Sequence, residues 1–187
     1  MEHTDHVNLL RGGVPGPGGV WADLGSGRGA FTLALAELVG PQGEIYSIDL
    51  DAGALHEQER AIQARFGEHS PSMHLLMDDY TQGLALPPLD GAVAANTLHF
   101  HFHKDSVLLS ILEYLKPGGR LVLVEYNVDR GNPWVPYPFS FKTWKGLARQ
   151  AGFVNTRLLA TRPSRFLGEI YSAVSFKPQE HRHDAPF

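Results

Sequence analysis

Apolar positions recur along this chain in two rhythms. Short apolar runs bounded by Gly, Pro or Asp fall at Val20–Leu24, Glu44–Asp49, Met73–Met77, Gly91–Ala95, Arg120–Tyr126, Val154–Thr161 and Ile170–Phe176. Their length and flanks predict strands. Between them, Ala30–Val39, Ala52–Phe66, Asp105–Leu115 and Phe141–Ala151 carry apolar residues three and four apart, the spacing of amphipathic helices. Strand and helix signals alternating to the end predict a parallel α/β sheet with helices on both faces. Turn chemistry agrees. Gly40-Pro41-Gln42-Gly43 and Lys116-Pro117-Gly118-Gly119 close helices, and Asp51 and Asp105 are candidate N-caps. Residues 1–19 read as a short helix, His3–Leu10, followed by a Gly/Pro-rich loop. At 187 residues the chain reads as one domain over 1–178, with 179–187 as a polar, flexible tail.

The first strand carries the strongest chemical signal. Val20-Trp21-Ala22-Asp23-Leu24-Gly25-Ser26-Gly27-Arg28-Gly29-Ala30-Phe31 is a strand, a carboxylate, three glycines at alternate positions and a helix start. Glycine admits the positive φ of a tight turn and lets a ligand approach the backbone. The helix behind it aims free N–H groups and a partial positive charge at whatever the loop holds. Gly25, Gly27 and Ala30 also satisfy the loosest dinucleotide fingerprint, G-x-G-x-x-G/A, so a nicotinamide oxidoreductase stays open on the glycines alone. Asp23 and Gly29 are the features which that fingerprint does not require.

The D-x-G-x-G-x-G pattern of Asp23, Gly25, Gly27 and Gly29 resembles motif I of the class I S-adenosylmethionine-dependent methyltransferases, and four further stretches match in order. Ile45-Tyr46-Ser47-Ile48-Asp49-Leu50 ends a strand in an acid, as does His74-Leu75-Leu76-Met77-Asp78-Asp79-Tyr80. Asp90-Gly91-Ala92-Val93-Ala94-Ala95-Asn96-Thr97-Leu98-His99 is similar to the family's motif IV, and Leu115-Lys116-Pro117-Gly118-Gly119-Arg120-Leu121 to its turn into the fifth strand. The resemblance implies a seven-stranded, mostly parallel Rossmann-like sheet of order 3-2-1-4-5-7-6 with strand 7 antiparallel. It implies that Asp23, Gly25, Ser26, Gly27 and Gly29 hold the methionine end of S-adenosylmethionine. Asp49 would take both ribose hydroxyls, a bidentate charge-assisted contact, with Leu50 against the adenine. Asp79 would accept from the adenine amino group and the Tyr80 backbone N–H would meet the ring, although the neighbouring Asp78 leaves a one-residue choice. Asn96 would sit beside the methyl group. The product would be S-adenosylhomocysteine.

A sulfonium methyl is already electrophilic, so the protein's task is alignment and exclusion of water. A hydroxyl or ammonium acceptor also needs a base, and His99-Phe100-His101-Phe102-His103 follows motif IV. His99, nearest the strand end, is the first candidate catalytic base and His101 the second. No metal is expected: there are no cysteines and no H-E-x-x-H helix. Tyr126–Phe139, with Trp134, Tyr137, Phe139 and three prolines, reads either as a lid over an apolar acceptor or as a buried plug.

Composition narrows the partners. The net charge of −4 disfavours a general nucleic-acid binder. Yet Arg130–Gly168 holds seven basic residues and no Asp or Glu, a segment suited either to solvation or to drawing in an anion. A small-molecule acceptor, aromatic or anionic, is the expectation; its reacting atom and the oligomeric state are open. No apolar run approaches the ~20 residues of a membrane span. With no cysteines and no secretory signal at the N-terminus, the expected location is cytoplasmic. The alternatives are a nicotinamide-dependent oxidoreductase and a non-catalytic S-adenosylmethionine-binding module.

Overall fold

A computed structural model describes residues 1–179; the tail expected at 179–187 lies outside the described residues beyond Gln179. The elements run α1 (His3–Arg11), β1 (Gly19–Leu24), α2 (Ala30–Val39), β2 (Gly43–Asp49), α3 (Ala52–Phe66), β3 (Ser72–Met77), β4 (Leu89–Ala95), α4 (Lys104–Tyr114), β5 (Leu115–Tyr126), α5 (Phe141–Gln150), β6 (Val154–Ser164) and β7 (Gly168–Phe176). The seven strands form one sheet in the order β3-β2-β1-β4-β5-β7-β6. β1 to β5 are mutually parallel, and β7 runs antiparallel to both β5 and β6. Both the fold class and the strand order follow the sequence reading.

The central strands are apolar at nearly every position because both faces are covered. Side chains alternate between two cores. Ala92, Ala94, Leu121 and Leu123 face α4 and α5 through Leu108, Ile111 and Trp144. Val93, Val122 and Val124 face α1 and α2 through Leu10, Phe31 and Leu35.

Three details differ from expectation. α4 begins at Lys104 with His103 as N-cap, so Asp105 stands in the first turn, where its charge complements the helix dipole instead of capping. β5 begins at Leu115, directly after α4. Leu89 pairs with Leu115 and Gly91 with Arg120, so Lys116–Gly119 bulges out of the ladder rather than separating helix from strand. β6 and β7 extend to Ser164 and Gly168, which pair across a tight turn. The strands there are polar and edge-exposed, so the apolar pattern faded before the ladder did.

This topology decides where a ligand can sit. The carboxyl ends of β1, β2, β3 and β4 meet where strand order reverses, leaving a crevice between diverging connections. Because β7 is antiparallel, the β6–β7 turn comes back to that same edge, next to Tyr126 at the end of β5.

Candidate functional site

A cavity of about 560 Å³ opens at this crevice, lined by the glycine loop, Asp49, Leu50, Asp78, Asp79, Tyr80, Ala95, Asn96, Thr97, Phe100 and His101. The loop is built tightly. Gly25 and Ser26 donate their N–H groups to Ile48 O at 2.9 and 3.0 Å. Gly25 has φ +69°, and a Cβ there would lie 2.2 Å from Thr97 Oγ1. Gly29, with φ +82°, leads into α2, and its Cβ would meet Gln58 Cγ at 2.3 Å. The loop can come this close to its supports only without side chains.

Beneath the loop lies Asp23, 1% exposed, its Oδ2 accepting from Thr32 Oγ1 at 2.5 Å. Burial pushes its carboxyl up to about 7, against the Thr32 hydrogen bond and with help from the Asp49 charge. Asp23 is not among the residues that line the cleft; it supports the loop from below. Asp49 does line it. Its Oδ2 accepts from the Gly27 N–H at 2.7 Å and its Oδ1 from the Asp51 N–H at 2.9 Å, which fixes the carboxylate at the strand edge with lone pairs to spare. Leu50 is 70% exposed beside it.

Asp78 and Asp79 both line the cleft. Asp78 Oδ1 takes the Asp79 N–H at 2.8 Å, whereas Asp79 Oδ1 takes the Thr81 N–H and hydroxyl at 2.9 and 2.7 Å. The Thr81 hydroxyl, more than any other group, holds the Asp79 carboxyl below the usual range. The Tyr80 side chain turns inward, its Oη 2.6 Å from His101 Nε2 and 3.0 Å from Thr97 Oγ1. Burial raises the Tyr80 phenol well above its ordinary pKa, so it stays protonated. Asn96 adopts a left-handed φ of 52°, and its Oδ1 is buried without a partner. Buried acceptors of this kind are rare and call for a donor.

The alternating histidines go to three different places. His99 is 2% exposed, with Nδ1 2.7 Å from Glu125 Oε2, and is not among the lining residues. His101 lines the cleft, and burial depresses its pKa. His103 is exposed at the start of α4. The order of the two catalytic candidates is therefore reversed in access: the imidazole nearest the strand end packs behind the site, and the next one faces it.

Sequence reasoning passed over four supporting residues. Gln58 is fully buried, and its Nε2 donates to Ser26 Oγ at 3.3 Å and Gly27 O at 3.4 Å. A glutamine on the buried Ala54–Leu55–Ile62 face of α3 was the signal for it. Glu125 is an acid inside an otherwise apolar strand. Thr97 wedges against Gly25. Lys104 is buried and donates to the carbonyls of His101 and Tyr137 at 2.8 and 2.9 Å, tying the histidine loop to the Tyr126–Phe139 connection. That connection is half plug and half open wall: Val135 and Phe139 are 3% and 2% exposed, Trp134 and Tyr137 are 71% and 42% exposed.

No lysine or arginine lines the cleft, while three carboxylates do. A diphosphate would meet repulsion there. A ligand carrying ammonium and sulfonium charges would meet attraction, and the pinned Asp49 carboxylate supplies acceptors for its O–H groups. By charge and donor set, the residues present fit S-adenosylmethionine.

A family model described as a methyltransferase domain matches residues 22–121. The chain is 31% identical over 139 residues to the ubiquinone/menaquinone biosynthesis C-methyltransferase of Burkholderia mallei, covering 70% of this chain and 54% of that protein. It is 41% identical over 68 residues to the ribosomal RNA small subunit methyltransferase H of Paracidovorax citrulli, covering 36% of this chain and 22% of that protein. The chain thus spans about half or less of these relatives' lengths. The crystal structure of a SAM-dependent methyltransferase from Aquifex aeolicus superposes with a TM-score of 0.71 at 19% identity, over 92% of this chain and 89% of that one. No helix among the described residues is long and apolar enough to cross a membrane.

Proposed function

This chain belongs to the class I S-adenosylmethionine-dependent methyltransferases, and from that premise we propose that it moves a methyl group to a small-molecule acceptor, aromatic or anionic, by in-line displacement. The observation that carries the reading is the acid-lined, cation-free cleft at the strand ends. S-adenosylmethionine, when bound, supplies an activated methyl group on a sulfonium.

The chain's residues do the rest. The Gly25–Gly29 loop and Asp23 beneath it shape the methionine end. Asp49 accepts from the ribose hydroxyls, Leu50 packs on the adenine, and Asp79 with the Tyr80 backbone reads its edge; Asp78 lines the same wall. Asn96 lines the cleft next to the reacting end. His101, held neutral by burial, accepts the proton of a hydroxyl or ammonium nucleophile from within the cleft. His99 and Glu125 brace the loop that presents it. Positioning of this kind supplies ~7–11 kcal/mol of a transfer barrier.

Calorimetry with S-adenosylhomocysteine tests the reading. Micromolar binding is expected, with Asp49→Asn weakening it about 100-fold through loss of charge-assisted hydrogen bonds. Failure to bind either S-adenosylhomocysteine or S-adenosylmethionine overturns it. A response to reduced nicotinamide cofactor would restore the oxidoreductase alternative. Tight S-adenosylhomocysteine binding without turnover across an acceptor panel would favour the non-catalytic module.

A further inference from the structure

A second cavity of about 620 Å³ lies on the same edge of the sheet as the cleft, where Tyr126, Phe166, Ile170, Arg162, Arg165 and Glu2 surround it. Its position follows from the topology, because the antiparallel β7 carries the β6–β7 turn back to the end of β5. Resting on the reading above, we infer that this cavity is the acceptor site, and that it takes a flat apolar molecule bearing an anionic group.

Three independent observations carry the inference. The first is an aromatic wall with nothing to cover it. Phe166 is 50% exposed and Trp134 71% exposed; their rings meet edge-on at 6.4 Å, and Phe166 meets Tyr126 edge-on at 5.8 Å. Large exposed aromatics gathered in one place mark a binding surface rather than ordinary solvent exposure. Edge-to-face contacts leave ring faces free to stack on a flat ligand.

The second is charge. Arg162 is neutralised by Asp5 of α1, but Arg165 makes no ion pair among the described residues. Glu2 is the single acid in the lining, so the cavity carries two guanidinium groups against one carboxylate and its neighbour Asp5. The cleft next door has three carboxylates and no lysine or arginine, whereas this cavity presents the Arg165 guanidinium, without an ion pair among the described residues, to a ligand. A guanidinium offers a carboxylate or phosphate two parallel hydrogen bonds.

The third is contact between compartments. Phe100 lines the cleft, Tyr126 lines the second cavity, and the His99 ring lies between them, 4.3 Å from Phe100 and 6.3 Å from Tyr126. The buried Glu125–His99 pair is thus the partition, and an acceptor seated against Tyr126 extends toward the cleft over it.

The test uses the full chain saturated with S-adenosylhomocysteine. The probe is 2-naphthoate, a fused flat ring with one carboxylate, and 2-naphthamide is its uncharged counterpart. Trp21 and Trp144 are buried at 1% and 0% exposure, so solvent quenching of tryptophan emission reports on Trp134. 2-Naphthoate is expected to shield that emission from acrylamide. Arg165→Gln should weaken 2-naphthoate about tenfold and leave 2-naphthamide within about twofold; Phe166→Ala should weaken both about tenfold. Both variants should keep the wild-type affinity for S-adenosylhomocysteine, which also shows that they fold. If 2-naphthoate does not bind, or binds equally to wild type and both variants while S-adenosylhomocysteine still binds, the site is overturned by itself. If S-adenosylhomocysteine fails to bind wild type, the underlying reading falls and this site with it.

Discussion

Glu125 and His99 meet inside the protein, Oε2 to Nδ1 at 2.7 Å, with side chains 0% and 3% exposed. Glu125 Oε1 also accepts the His99 backbone N–H at 3.2 Å, so one carboxylate fixes both the ring and the turn that carries it. Removing one partner of a buried pair strands the other, at a cost of about 3 kcal/mol. Glu125→Ala should therefore lower the melting temperature by roughly 6–12 °C at this chain size. Glu125→Gln, which keeps an acceptor, should lose less than half of that. Equal melting curves for Glu125→Ala and wild type would remove the pair's structural role.

The glycine loop makes a sharper demand. A Cβ at Gly29 collides with Gln58 Cγ at 2.3 Å, on top of a left-handed φ. Gly29→Ala should cost about 2–4 kcal/mol, from strain plus overpacking. Gln58→Ala removes the obstacle, so the double variant should be at least about 1 kcal/mol more stable than the sum of the two single losses predicts. Urea unfolding of all four proteins measures this coupling; strict additivity would contradict the contact.

Asp23 gives the protein a pH signature. Its folded pKa, about 7, lies above the 3.8 of the unfolded chain. The folded state therefore holds the proton more tightly, and stability falls as pH rises between about 4 and 7, then levels off. The loss is on the order of 4 kcal/mol. Asp23→Asn, still able to accept from Thr32, should abolish this contribution. Urea midpoints at pH 5 and pH 7.5 compare the two proteins, and an unchanged pH difference in the variant would count against a protonated Asp23.

His101 should titrate below 6.5, chiefly because burial disfavours its charged form. Tyr80→Phe removes the hydroxyl 2.6 Å from its Nε2 but keeps the burial that depresses its pKa, so the variant should still titrate below 6.5. Proton NMR titration of the ring resonances in both proteins measures this. A wild-type midpoint above 6.5 would disqualify His101 as a base kept neutral by its surroundings.

Much of this was legible before any coordinates. Short apolar runs bounded by turn residues placed the seven strands of the sheet, three- and four-residue apolar spacing placed the four helices after it begins, and α2 and α3 coincide with the expected Ala30–Val39 and Ala52–Phe66. The carboxylates at the ends of β2 and β3 line the cleft where the pattern put them. What stayed hidden depended on direction. His99 and His101 both follow β4 in a short loop, and their spacing says nothing about which imidazole turns toward solvent. Gln58 is close to the loop only because α3 packs over it, more than thirty residues away in sequence from Ser26.

The sequence by itself determined the alternating elements, the mostly parallel sheet and the strand-end positions of the cleft-lining acids, because these follow from local apolar patterning and from turns that only Gly, Pro and Asp make well. Tertiary structure alone decided that Glu125 claims His99, that Asp23 retreats under the loop, and that Phe166 and Arg165 arrive beside Tyr126. The reason is geometric. Hydrogen bonding and burial depend on distances across the sheet, and the antiparallel return of β7 brings together residues that no local pattern in the chain connects.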